Sequence, residues 1–304
     1  INGGEGNDNI GGGTGYDIID GGGGNDFITL SDAPSSVIGG AGTDTLSFAS
    51  LFNAPAGLDL NLTALWAGGT GTIALVGDPG GTIAGIEAIG AISGTNFADN
   101  IVLGNGVSAE PFGIIQLFGG DDYLELGTVG NNAGGGEGND TVIGNAGVNT
   151  LQGDGGDDTL DGLGGDDLIN GGTGNDLLKG GIGNDSLSGD EGDDNVQGGD
   201  GNDFIFGGDG IDQIDGGAGN DTIFAGEGND TVLGGAGDDA INLNGGDDSV
   251  DGGDGNDVVT VFPDTFGAGD NFGGGAGDDQ LYLAWDVQGD LPAAVMDFTT
   301  YWTN

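Results

Sequence analysis

A unit of nine residues recurs fourteen times without interruption between Gly135 and Thr260. It reads Gly-Gly-x-Gly-x-Asp-x-U-x, where U is a large aliphatic residue. A clean copy is Gly171-Gly172-Thr173-Gly174-Asn175-Asp176-Leu177-Leu178-Lys179. Position eight is Val, Ile or Leu in every copy, from Val142 to Val259. Position six is Asp in thirteen copies and Asn149 in the other. Self-similarity at a short fixed period marks a solenoid, in which each unit buries its apolar residue only against its neighbours.

The unit divides into a turn and a strand. Glycine accepts positive φ at no steric cost, and Asn or Asp tolerates it better than other side chains. Position five is Asn or Asp in twelve of fourteen copies, Val148 and Ile211 being the exceptions. Gly-Gly-x-Gly-x-Asp therefore predicts a turn, and x-U-x a very short strand with U pointing inward. Nine residues make half a coil and eighteen a full one. Successive coils then stack as parallel strands about 4.8 Å apart. Ala225, Leu243 and Asn244 replace turn glycines, which predicts less regular loops there.

The phase extends back to Leu117–Glu125, with Asp122 and Leu124 in place, while Leu126–Gly134 keeps only the length. A second block of five units runs from Gly3 to Ser47, with Asp8, Asp17, Asp26 and Asp44 at position six and Ser35 in the degenerate fourth unit. Ile1 and Asn2 fit positions eight and nine of a preceding unit, which predicts a piece of something longer. The chain is thus read as four segments. Residues 1–47 and 117–260 are repeat blocks, and 48–116 is a degenerate β-helical stretch. Residues 261–304 hold a last copy, Gly274–Tyr282 with Asp279, and a cap or interface. In 48–116, Leu58, Leu60 and Leu62 alternate with polar residues. Ile73–Val76 and Ile83, Ile86, Ile89 and Ile92 read as further strands. Gly94–Ile101 looks like a worn copy of the unit. The tail is apolar and aromatic, with Trp285, Leu291, Val295, Phe298, Tyr301 and Trp302.

Composition narrows the chemistry. There are 51 acidic residues and one base, Lys179, for a net charge of −50, and neither Cys nor His occurs. That removes disulfides, the usual zinc sites and Ser-His or Cys-His nucleophiles. The charge repels nucleic acid and anionic lipid, and no apolar run of about 18 residues could span a membrane. With its carboxylates committed to the repeat, the chain is read as not an enzyme.

Stacking places the position-six residues in two files. Asp158, Asp176, Asp194, Asp212, Asp230 and Asp248 lie along one edge, and Asp167, Asp185, Asp203, Asp221, Asp239 and Asp257 along the other. Two carboxylates about 4.8 Å apart repel by roughly 3–4 kcal/mol at an effective dielectric near 20. A dozen such pairs exceed the stability of an ordinary domain, about 5–15 kcal/mol. Something cationic must therefore sit between the turns. Carboxylate and backbone carbonyl oxygens in a flexible loop suit Ca²⁺ better than Mg²⁺, which demands tight octahedral geometry.

This nonapeptide resembles that of the RTX (repeats-in-toxin) calcium-binding family. The resemblance implies an all-β fold, a calcium-loaded parallel β-roll or β-helix solenoid. Each ion would lie between turns one coil apart, held by the position-six Asp of each and by backbone carbonyls. Asp185 and Asp203 would share one ion and Asp203 and Asp221 the next, while Asn149 would weaken its site. The expected metal ligands are Asp8, Asp17, Asp26, Asp44, Asp122, Asp140, Asp158, Asp167, Asp176, Asp185, Asp194, Asp203, Asp212, Asp221, Asp230, Asp239, Asp248, Asp257 and Asp279. The resemblance also implies export by type I secretion and folding in extracellular calcium. The reading that follows is a secreted or cell-surface structural and interaction protein: a rigid calcium-dependent roll of a surface layer, adhesin or filament, self-associating or meeting a partner through its ends. The alternative is the secretion and folding module of an exported enzyme or toxin whose active domain lies elsewhere.

Overall fold

The computed structural model describes residues 1–13, 17–30, 36–48, 58–61, 71–75, 81–84, 88–103, 115–127, 132–262, 269–283 and 302–303. Every regular element among them is a strand. Internal contacts divide the chain into two compact units, Ile1–Gly155 and Gly156–Asn304.

Unit Gly156–Asn304 is a parallel β solenoid built from eighteen-residue coils. Leu177 pairs with Asn195 and Asn195 with Gln213, each an offset of eighteen. Alternate nine-residue units fall on opposite sides. One sheet stacks Leu177–Ile182, Asn195–Asp200, Gln213–Ala218 and Thr231–Ala236. The other stacks Leu168–Thr173, Ser186–Glu191, Phe204–Asp209 and Thr222–Glu227. Position eight forms the core. Leu160, Ile169, Leu178, Val196, Ile205, Ile223, Val232 and Ile241 are fully buried, each burial being worth about 1.5–3 kcal/mol. Towards the C-terminus the offset lengthens to twenty-two, with Ser249 against Asn271 and Val258 against Gln280.

The strands are longer than x-U-x. Leu177–Ile182 runs through positions one to three of the next unit, and Gly181 and Ile182 pair with Gly199 and Asp200. The stacked copy one coil away supplies hydrogen-bond partners that the local sequence does not reveal, so only positions four to six turn. Two glycines approach the preceding coil closely, at positions two and four of the unit that begins at Gly198. Gly199 has φ +113° and Gly201 φ +143°, and a Cβ on either would strike the backbone carbonyl of Gly181 or Gly183 in the preceding coil. Ala225 does not disturb its loop: Thr222–Glu227 keeps six residues, with the methyl buried. At Leu243 and Asn244 the strand does shorten, to Ala240–Leu243.

Unit Ile1–Gly155 repeats the arrangement. Asn2–Glu5, Ile18–Gly23 and Ser36–Ala41 form one parallel file, and Asn9–Gly11, Phe27–Thr29 and Thr45–Phe48 another. The worn copy joins a stack, since Asn100–Val102 pairs in parallel with Tyr123–Glu125. Between these, Leu58–Asn61 pairs antiparallel with Gly71–Leu75, which pairs antiparallel with Gly81–Ala84. The connections here are too short for a coil, and antiparallel pairing needs no long crossover. Leu62, Val76, Ile86 and the tail residues Trp285, Leu291, Val295, Phe298 and Tyr301 lie outside the described residues. Trp302–Thr303 pairs in parallel with Phe272 and Gly273.

Position five carries a second ladder on the exposed side of the turns. Asn202 N–H donates to Asn184 Oδ1 at 2.9 Å, Asn220 N–H to Asn202 Oδ1 at 2.7 Å, and Asp238 N–H to Asn220 Oδ1 at 3.0 Å. Asn and Asp are thus required as acceptors, not only as turn formers. Ile211, 55% exposed, donates its N–H to Asp193 Oδ1 but has no side-chain oxygen to offer Asn229 N–H one coil on. Ile211→Asn is expected to stabilise the loaded protein by about 0.5–1.5 kcal/mol, read as a higher Tm. An unchanged or lower Tm would show that the exposed ladder contributes nothing.

Candidate metal sites

Each regular turn presents its position-six carboxylate in one orientation. Oδ1 accepts the backbone N–H of the position-six residue one coil earlier. Asp185 N–H donates to Asp203 Oδ1 at 2.8 Å, Asp203 N–H to Asp221 at 2.8 Å, and Asp221 N–H to Asp239 at 2.8 Å. The other edge repeats this from Asp158 through Asp176, Asp194, Asp212 and Asp230 to Asp248. In the N-terminal unit Asp8, Asp26 and Asp44 form such a file, and so do Asp99, Asp122 and Asp140.

Oδ2 is left over. It is buried without a hydrogen-bond partner in Asp8, Asp26, Asp122, Asp176, Asp185, Asp194, Asp203, Asp212, Asp221, Asp230, Asp239, Asp257 and Asp279. Nearly all of these side chains are shut from solvent; Asp203 is 2% exposed. A buried polar atom without a partner costs about 1–3 kcal/mol, more when charged. The position-one glycine leaves room beside it. A Cβ on Gly198 would collide with Asp203 Oδ2 and lie 2.5 Å from the Gly216 carbonyl oxygen. Carboxylate and carbonyl oxygens thus converge on space that any side chain would fill. No three carboxylates cluster among the described residues. Most of a shell of about six to eight oxygens therefore falls to the backbone. This is a hard-oxygen donor set of low symmetry, which fits Ca²⁺.

Burial raises the carboxyl pKa values, and the accepted N–H bond lowers them only in part. Asp122 is pushed up to about 8 by burial, with the Asp99 and Asp140 charges adding to it. Asp212 and Asp239 rise to about 7, and Asp194, Asp203 and Asp248 to about 6, again through burial first. The linkage has a definite sign. A carboxyl raised from 3.8 on folding favours the fold below 3.8, and that contribution is lost as pH rises through about 6–8. In EGTA, lowering the pH from about 8 towards 4 is expected to restore β structure. Calcium added near neutrality should release protons. A β signal in EGTA that is flat with pH, or that grows with alkali, would contradict this.

A family profile described as the RTX calcium-binding nonapeptide repeat (4 copies) matches residues 2–32, 134–169, 161–196, 170–205, 197–232 and 224–259. Together these cover just over half of the chain. The chain belongs to the RTX calcium-binding nonapeptide repeat family. A search of curated proteins finds no match. RTX repeats bind calcium, so calcium is the ion of this roll, and the RTX β-roll is a structural calcium-binding fold.

Two carboxylates at position six were not among the expected ligands. Asp99 is 3% exposed and donates its N–H to Asp122 Oδ1 at 2.6 Å. Asp270 is 5% exposed and accepts from Asp248 N–H at 2.9 Å. A signal for Asp270 exists: nine residues before Asp279 the phase lands on Asp270, with Phe272 at position eight.

Proposed function

We propose that the position-six aspartates, joined by Asp270, hold a file of Ca²⁺ ions along each edge, two turns contributing to each ion. The loaded roll then acts as a rigid, calcium-dependent structural or interaction element of a secreted or cell-surface assembly. The buried Oδ2 oxygens without partners support this reading most directly, because they recur at eight consecutive turns from Asp176 to Asp239. Chemistry repeated at each coil is suited to a repeated structural role, not to concentrating reactivity at one locus. Calcium modules that work outside cells bind at roughly 10⁻⁴–10⁻³ M, so such a chain would stay loose before export and set afterwards. With a net charge of −50, self-association requires that neutralisation.

Light scattering across a concentration series tests the role. In millimolar calcium the mass is expected to climb above that of one chain, and to return to one chain in EGTA. A chain that stays monomeric at every concentration in calcium would overturn self-assembly and favour a carrier module for an attached domain.

A further inference from the structure

Two turns are closed by hydrogen bonds of their own. In 94–99, Thr95 N–H donates to Asp99 Oδ2 at 2.7 Å and Thr95 Oγ1 lies 3.1 Å from Asp99 Oδ1. Phe97 N–H in turn donates to Thr95 Oγ1 at 3.0 Å. In 144–149 the same plan recurs with other residues. Asn145 N–H donates to Asn149 Oδ1 at 2.8 Å, and Gly147 N–H to Asn145 Oδ1 at 2.8 Å. Thr95 and Asn145 both stand at position two, and all four side chains are buried.

The contrast with the regular turns lies in the backbone at position two. Gly199 there has φ +113°. The non-glycine residues of positive φ among the described residues are Phe118, Asp154, Leu163 and Asp190, each at position two of its unit. In the turns of Phe118 and Asp190, the Oδ2 of Asp122 and Asp194 remains without a partner. A side chain at position two is therefore compatible with an open turn, provided the backbone is left-handed. Thr95 and Asn145 are not left-handed, and their N–H groups reach the position-six side chain instead. A β-branched residue such as Thr resists positive φ most strongly. Both kinds of turn occur in one molecule, and the backbone at position two separates them.

We infer that at 94–99 and 144–149 the residue at position two keeps the turn from taking calcium. A left-handed residue there leaves the position-six oxygen for the ion. Thr95 and Asn145 satisfy that oxygen internally, and 94–99 and 144–149 are calcium-independent turns. Asp99 is then a carboxylate in the right repeat position that does not bind metal. This rests on calcium being the ion of the regular turns.

Counting ions per chain by native mass spectrometry tests it with the whole chain. Thr95→Gly is expected to gain one calcium. Asn145→Gly combined with Asn149→Asp is expected to gain one independently, which covers the case in which Thr95→Gly fails to fold by circular dichroism. Thr95→Ala removes the hydroxyl without granting left-handed freedom and should gain none. Folded Gly variants that hold the same number of ions as the wild type would overturn the inference. A wild type that holds no calcium would instead overturn the calcium reading of the regular turns, and this inference with it.

Discussion

Chelating calcium with EGTA at neutral pH is expected to abolish most of the β signal and expand the chain. Among the described residues, at least thirteen buried Oδ2 oxygens have no hydrogen-bond partner. At about 1–3 kcal/mol each, their combined cost exceeds the roughly 5–15 kcal/mol by which domains are stable. Lys179 is the one basic side chain of the sequence and cannot offset a file of acids. Binding to the folded state alone stabilises by mass action, so Tm should climb with the logarithm of calcium concentration. Far-UV circular dichroism and small-angle scattering with and without EGTA measure both effects. Full β signal and unchanged compactness in EGTA would show that the carboxylates find another way to be neutralised. The turns at 94–99 and 144–149 should be the last to respond locally, because their donors and acceptors are already matched.

Legibility in the sequence followed the range of the interaction concerned. Position eight needs only a neighbour of the same kind, and Leu178, Val196 and Ile205 are buried as the period implies. The position-six files are equally local to the period, since eighteen residues separate Asp185 from Asp203. Interactions that depend on what lies across a coil were harder to read. Asn184 and Asn202 pass as turn formers until stacking shows Asn184 Oδ1 accepting Asn202 N–H and Asn202 Oδ1 accepting Asn220 N–H. Alternation at Leu58 and Leu60 marks a strand but carries no direction, and the pairing with Gly71–Leu75 is antiparallel. Asp270 was hidden by an offset of twenty-two residues, which breaks the phase, whereas Asp99, at an offset of twenty-three, sat in the worn copy.

Replacing Asp203 by Ala should cost far more than replacing Asn149 by Ala, and in a different currency of measurement. Asp203 stands between Asp185 and Asp221 in one file, giving Oδ1 to Asp185 N–H and its own N–H to Asp221. Its Oδ2 is one of the orphaned oxygens. Asp203→Ala therefore removes a donor from two ions. At calcium a hundredfold above Kd each ion contributes about 2.7 kcal/mol, so the loaded protein should lose about 5 kcal/mol and its Tm should rise less steeply with calcium. Asn149 carries no charge, and its Oδ1 is occupied by Asn145 N–H at 2.8 Å. Asn149→Ala removes that hydrogen bond, about 0.5–1.5 kcal/mol, and should leave the calcium dependence of Tm as it was. The two substitutions separate further as calcium is lowered. A buried carboxylate without metal opposes folding, so the penalty of Asp203→Ala should shrink, while that of Asn149→Ala stays constant. Calcium titrations monitored by Tm give both slopes. Parallel slopes for the two variants would mean that the position-six carboxylates do not hold the ions.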